Sequence, residues 1–183
     1  MNTITLVLLF ASVIAGAIFV EVFKPKRGRN IQLLLTFSGA YLLAVCILHL
    51  IPELFSSSIS EHNHAENIGI FILLGFLIQI LLEYFSKGIE HGHFHKRNVI
   101  PFSILISLCL HAILEGIPLG GNLSANNALL MGIVLHKVPV AVVLMTFFIQ
   151  SGMKKHNAYI LLFLFAIMAP LGAYAGNLFS SIV

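Results

Sequence analysis

Aspartate is absent from this chain, and all seven acidic residues are glutamate. Charge of either sign is scarce. Asp, Glu, Lys and Arg make up 9% of the 183 residues, where a water-soluble domain carries about a quarter. That shortage excludes a soluble globular domain. The two cysteines, Cys46 and Cys109, each lie inside an apolar run and read as small buried hydrophobes, not as a disulfide or a metal pair. No basic segment precedes the first apolar run, so that run reads as a retained helix and not a cleaved signal peptide. The net charge of +3 is small and its basic residues sit in short loops, so no nucleic-acid partner is expected.

What the chain has in abundance is hydrophobic residues, 58% of the total. A membrane-spanning helix needs about 20 mostly apolar residues. Six stretches qualify: 3–23, 31–54, 67–86, 99–120, 126–150 and 158–181. The fold class expected is all-α, one polytopic transmembrane bundle covering 1–183, in contact with membrane lipid. The breaks between spans are short and polar. Loops one, three and five hold Lys24, Lys26, Arg27, Arg29, Lys87, Lys96, Arg97, Lys154 and Lys155; loops two and four hold no basic residue. The positive-inside rule puts the odd loops in the cytoplasm and both ends of this sequence, including the N-terminus, outside.

The tenth basic residue, Lys137, lies inside the fifth span. It follows His136, and the fourth span carries His111 and Glu115. Ionisable groups at mid-membrane are expensive and normally face a bundle interior, with partners there. His111 falls near the middle of an outward-running helix, Glu115 about one turn, or 6 Å, further out. His136 falls near the middle of the inward-running fifth helix. If helices four and five are neighbours, as their short connection favours, the three groups share one depth, and a passing metal cation is the simplest partner for them.

Ser103, Ser107, His111 and Glu115 share one face through i, i+4 spacing. The serines are equally explained by bonds to their own backbone or to a neighbouring helix. Pro118 and Pro139 flank the ionisable cluster, and each removes a helical hydrogen bond one turn back. They read either as carbonyl-presenting breaks or as packing kinks. Gly172 and Gly176 make a small-xxx-small face suited to close helix packing. Near the outer end of the second helix, His49 and Glu53 share a face and could admit a cation. Gln79 and Glu83 repeat that spacing near the inner end of the third. The loop 87–98 contains Glu90 and alternating His91, His93 and His95, a tract suited to receiving Zn²⁺. His62 and His64 form a weaker pair in the outer loop.

Taken together, these motifs resemble the ZIP (Zrt/Irt-like) family of divalent-metal transporters. The fourth-helix pattern His-Asn-x-x-(Asp/Glu)-Gly is matched at His111, Glu115 and Gly116, and the fifth-helix pattern His-Glu-x-Pro at His136 and Pro139. The second-helix pattern His-Leu-x-Pro-Glu is matched at His49, Leu50, Pro52 and Glu53. The histidine-bearing third loop and Ala169-Pro170-Leu171-Gly172 also fit. The resemblance implies a two-metal site between helices four and five. Here Ala112 replaces the Asn ligand, Lys137 the acid after the histidine, and Val140 a His or Glu. One site remains, built from His111, Glu115 and His136. Lys137 either substitutes for the second cation by balancing Glu115 or lowers metal affinity by repulsion. The family has eight spans, and this sequence holds six. Either two further helices follow this sequence, or they are absent and a partner chain could complete the bundle.

The function expected is transport of a divalent transition metal toward the cytoplasm. Zn²⁺ comes first, with Fe²⁺ and Mn²⁺ as alternatives. The ion would pass His49 and Glu53, the midplane site, then Glu83 and the loop histidines. A non-transporting metal sensor or scaffold is the second reading. An intramembrane zinc hydrolase is the third, and it lacks a positioned general base: there is no His-Glu-x-x-His sequence and no aspartate. An enzyme is therefore not expected. A cell membrane, the bacterial inner membrane, is the expected location, with a homodimer as the assembly left open.

Overall fold

The computed structural model describes residues 3–24, 29–56, 62–86, 101–121 and 126–180, with backbone only for 62–67, 86, 101–103 and 126. Among these, all regular structure is helical. Six helices follow one another: α1 (Thr3–Phe23), α2 (Arg29–Ser56), α3 (His62–Ser86), α4 (Pro101–Gly116), α5 (Asn126–Gln150) and α6 (Lys155–Ser180). All six expected spans appear as helices, with ends displaced by a few residues. Five of them are long and apolar enough to cross a bilayer; α4, with the 3-10 turn Ile117–Gly120 that follows it, is a shorter apolar segment. Together these helices form a multi-pass membrane bundle.

Local chemistry explains the breaks. Pro118 lacks an N–H and lies within the 3-10 turn that closes α4. Gly152 ends α5 at φ +81°. There the Met153 N–H donates to the Phe148 carbonyl and the Gly152 N–H to the Ile149 carbonyl, the paired bonds of a Schellman cap. Within α2, Cys46–Leu50 forms a π turn in which the Ile51 N–H reaches back to the Cys46 carbonyl. Pro52 explains it: its ring would collide with the carbonyl four residues earlier, and the wider turn relieves that contact.

The helices do not pack in chain order. α1 lies against α5 and α6, α4 against α6 and α3, and α2 against α5. Glycines set the closest approaches. A Cβ at Gly172 would strike the Ile113 carbonyl, one at Gly176 the Ile117 carbonyl, and one at Gly116 the Ala169 carbonyl. The small-residue face of α6 thus meets a matching face on α4. The short connection favoured α4 and α5 as neighbours, yet their backbones approach closely almost nowhere. Each instead fits a groove offered by α6 or α1, and the two face one another through long side chains.

Glu21, near the end of α1, meets Lys155, at the start of α6, at 2.8 Å, so these two helices are antiparallel. Ser180, at the end of α6, donates to Gly120 beyond α4, so α4 and α6 run the same way. Lys24, Arg29, Lys154 and Lys155 therefore gather at one end of the bundle, called the basic end below. Two apolar cores lie along the axis. One, from Val13 to Phe165 by way of Ile104 and Leu144, fills the half near the basic end. The other, with Leu9, Val45, Leu119, Leu129, Ile133 and Ala173, fills the opposite half.

Candidate metal centre

His111 is ten residues into α4, which starts at the basic end, and His136 is ten residues into α5, which starts at the opposite end. At 1.5 Å per residue each is about 15 Å along its helix, the middle of a hydrocarbon core about 30 Å thick. Opposite directions thus bring the two imidazoles to one level. His111, Glu115 and His136 each offer a ligand atom within 4.8 Å of the others, and they are the only such group among the described residues. All three are half-buried. Position on a common helix face explains His111 and Glu115: four residues apart, their Nε2 and Oε1 atoms lie 3.3 Å from each other.

Lys137 comes from α5 into the same layer. Its side chain is buried, its ammonium donates to Glu115 Oε2 at 2.7 Å, and its Nζ stands 5.3 Å from the centre of the Phe165 ring on α6. The two carboxylate oxygens are thus divided, Oε1 toward His111 and Oε2 toward Lys137. Ala112 is fully buried in the core and Val140 nearly so, and both side chains serve packing.

Each imidazole also has a partner from a further helix. His111 Nδ1 pairs with Gln79 Oε1 on α3 at 2.9 Å. His136 Nδ1 pairs with Ser38 Oγ on α2 at 3.1 Å. Gln79 carried a sequence signal through its spacing from Glu83. Ser38 carried none, because a serine in an apolar helix has many ordinary uses. Of the polar stripe on α4, Ser107 donates to the Leu82 carbonyl on α3, a bond between helices and not toward the His111–Glu115–His136 cluster.

The remaining candidates stand apart from this cluster. His49 is exposed in the π turn of α2, and half-buried Glu53 follows one turn later. Glu83 is half-buried on α3, beyond Gln79 toward the basic end. His91, His93, His95 and Glu90 lie outside the described residues, as do the side chains of His62 and His64.

A cavity of about 460 Å³ reaches the cluster. His111, Glu115, His136 and Gln79 line one side, and α2 from Gln32 to Leu43 lines the other. Gln32 is three residues from the start of α2 and Leu43 is five beyond Ser38, so the cavity runs along α2 to both sides of the cluster and reaches close to the basic end. On the far side of the cluster lies the second apolar core, with Leu9, Leu119 and Leu129.

Comparison with known proteins adds an independent line. A family model described as ZIP Zinc transporter matches residues 87–182. Zinc transporter ZIP9-B of Xenopus laevis is 26% identical over 123 residues, covering 61% of this chain and 41% of the frog protein. Zinc transporter ZIP9 of Micropogonias undulatus is 27% identical over 122 residues, covering 60% of this chain and 39% of the fish protein. Zinc transporter zipt-7.1 of Caenorhabditis briggsae is 24% identical, covering 87% of this chain and 55% of the worm protein. The matched region is less than half the length of the ZIP9 relatives.

Proposed function

The chain belongs to the ZIP zinc transporter family, and from that premise we propose that it carries a divalent transition-metal ion, zinc first, across the membrane through His111, Glu115 and His136. The observation that carries this reading is the convergence of those three ligand atoms within 4.8 Å at mid-bundle. A tetrahedral zinc with ligands at about 2.0–2.1 Å holds them about 3.4 Å apart. The three ligand atoms, now within 4.8 Å of one another, would have to draw closer to reach that spacing. Two imidazoles and a carboxylate suit Zn²⁺ and its first-row neighbours better than Ca²⁺ or Mg²⁺. The names of the relatives support zinc within that group.

The direction proposed is toward the basic end, which the positive-inside rule assigns to the cytoplasm. What supports this direction is that the cavity beside the site reaches Gln32, near that end, while apolar side chains around Leu9, Leu119 and Leu129 pack on the other side of the cluster. Rocking of the helices that opens the outer core and closes the inner cavity would complete a transport cycle. His49 and Glu53 would meet the ion on the outer side, and Glu83 with His91, His93 and His95 on the inner. Fe²⁺ or Mn²⁺ could use the same path.

Lys137 favours a second reading, a family member that binds metal without moving it, because its ammonium already engages Glu115 at 2.7 Å. Radioactive zinc flux into proteoliposomes separates the two. Flux in the natural chain that disappears in the His111→Ala, Glu115→Ala double variant supports transport. Flux unchanged by the double substitution overturns the site, and tight binding with no flux identifies a sensor or scaffold.

A further inference from the structure

Ser38 is buried to 1% exposure about a third of the way along α2, and nothing in the transport reading requires a hydroxyl there. Its Oγ lies between two atoms. It is 2.9 Å from the Leu35 carbonyl of its own helix and 3.1 Å from His136 Nδ1 on α5. A serine hydroxyl has one hydrogen and two lone pairs. The Leu35 carbonyl can only accept, so the hydroxyl hydrogen lies on that line. The oxygen then meets His136 with a lone pair, and Nδ1 must supply the hydrogen. In a neutral imidazole that leaves the lone pair on Nε2, the other end of the ring.

We propose that Ser38 is a positioning residue that holds His136 in its Nδ1–H form, so that Nε2 is the atom presented to the ion. The proposal rests on the metal-site reading given above. The carbonyl of Leu35 sets the hydroxyl, the hydroxyl sets the tautomer, and the tautomer sets which nitrogen can bind a cation. Outer partners of metal-ligating histidines fix ring orientation in this way. The arrangement also ties a ligand on α5 to α2, the helix that lines the far side of the cavity. Gln79 offers a carbonyl oxygen to His111 Nδ1 in the same sense, from α3. The two ligand rings are thus each oriented from a different neighbouring helix.

The test is a double-mutant cycle on zinc affinity, measured by chelator competition on the purified protein in nanodiscs, with His91, His93 and His95 changed to Ser so that the loop does not contribute. Ser38→Ala is expected to weaken zinc binding about 10- to 100-fold, the usual loss on removing such a partner. Ser38→Thr, which keeps the hydroxyl, is expected to restore it. In a His136→Ala background, Ser38→Ala should change the affinity by less than about twofold, because there is no ring left to orient. A serine that merely packs would produce the same loss in both backgrounds, and that result overturns the proposal. So does an unchanged affinity in Ser38→Ala while His111→Ala abolishes binding, an outcome that leaves the metal site itself standing. Binding unaffected by His111→Ala and by Glu115→Ala would instead overturn the metal-site reading.

Discussion

Replacing Glu115 by leucine leaves the Lys137 ammonium without its carboxylate. The side chains of the pair are 3% and 13% exposed, with Lys137 Nζ 2.7 Å from Glu115 Oε2. The Phe165 ring at 5.3 Å is present with or without the acid, so it does not offset the loss. Removing one member of a buried pair costs about 3–5 kcal/mol, because the other charge stays behind in a poorly solvated place. For a chain of this size each kcal/mol lowers Tm by roughly 2–4 °C, so Glu115→Leu should melt roughly 6–20 °C below the natural chain. Adding Lys137→Met removes the stranded charge, and an apolar pair of similar volume is often as stable as the ion pair it replaces. The double variant should therefore recover most of the loss. The assay is thermal unfolding in detergent with a metal chelator present, so that zinc binding does not enter. A single variant as stable as the natural chain, or a double variant no better than the single, would refute the claim that this ammonium depends on Glu115.

Three further outcomes follow from the same geometry. Gly172→Ala should lower stability by about 1–3 kcal/mol, the range for overpacking, because the added methyl meets the Ile113 carbonyl; thermal unfolding reads it, while Gly75→Ala on α3, where a Cβ meets nothing, should not destabilise. Zinc at about a hundred times its Kd should raise stability by about 2.7 kcal/mol; the shift should vanish in His111→Ala, and its persistence there would place the bound ion elsewhere. Glu21→Gln removes the charge paired with Lys155 and leaves one oxygen where two accept from Lys155 and Tyr159 at the basic end, but these groups are exposed and such pairs contribute little, so Tm should stay within error of the natural value.

The spans were legible because hydrocarbon imposes a strict rule: a helix must run about 20 apolar residues before polar backbone can meet water. The polar breaks around Lys24 to Asn30 and Ser151 to Asn157 therefore marked helix ends to within a few residues. His111, Glu115 and His136 were legible for the converse reason, since a charged or polar side chain in such a run is costly enough to need a purpose. The packing order was harder to read. Chain proximity favoured α4 beside α5, while the closest approach of α4 is to α6. Gly172 and Gly176 signalled a tight interface, but Gly116 and Gly120 as its other half emerge only when the helices are set together. The π turn at Cys46–Leu50 was hidden because Pro52 can be accommodated in several ways. Ser38 was hidden because its role comes from a residue 98 positions away.

The central claim is that one ion is held at mid-membrane by two imidazoles and one carboxylate. X-ray absorption at the zinc edge tests it most directly, on the zinc-loaded protein with His91, His93 and His95 replaced by Ser. The expected first shell has two histidine nitrogens and carboxylate oxygen at about 2.0–2.2 Å, with one nitrogen contribution lost in His136→Ala. A shell of oxygens alone, or one unchanged by that substitution, would contradict the account.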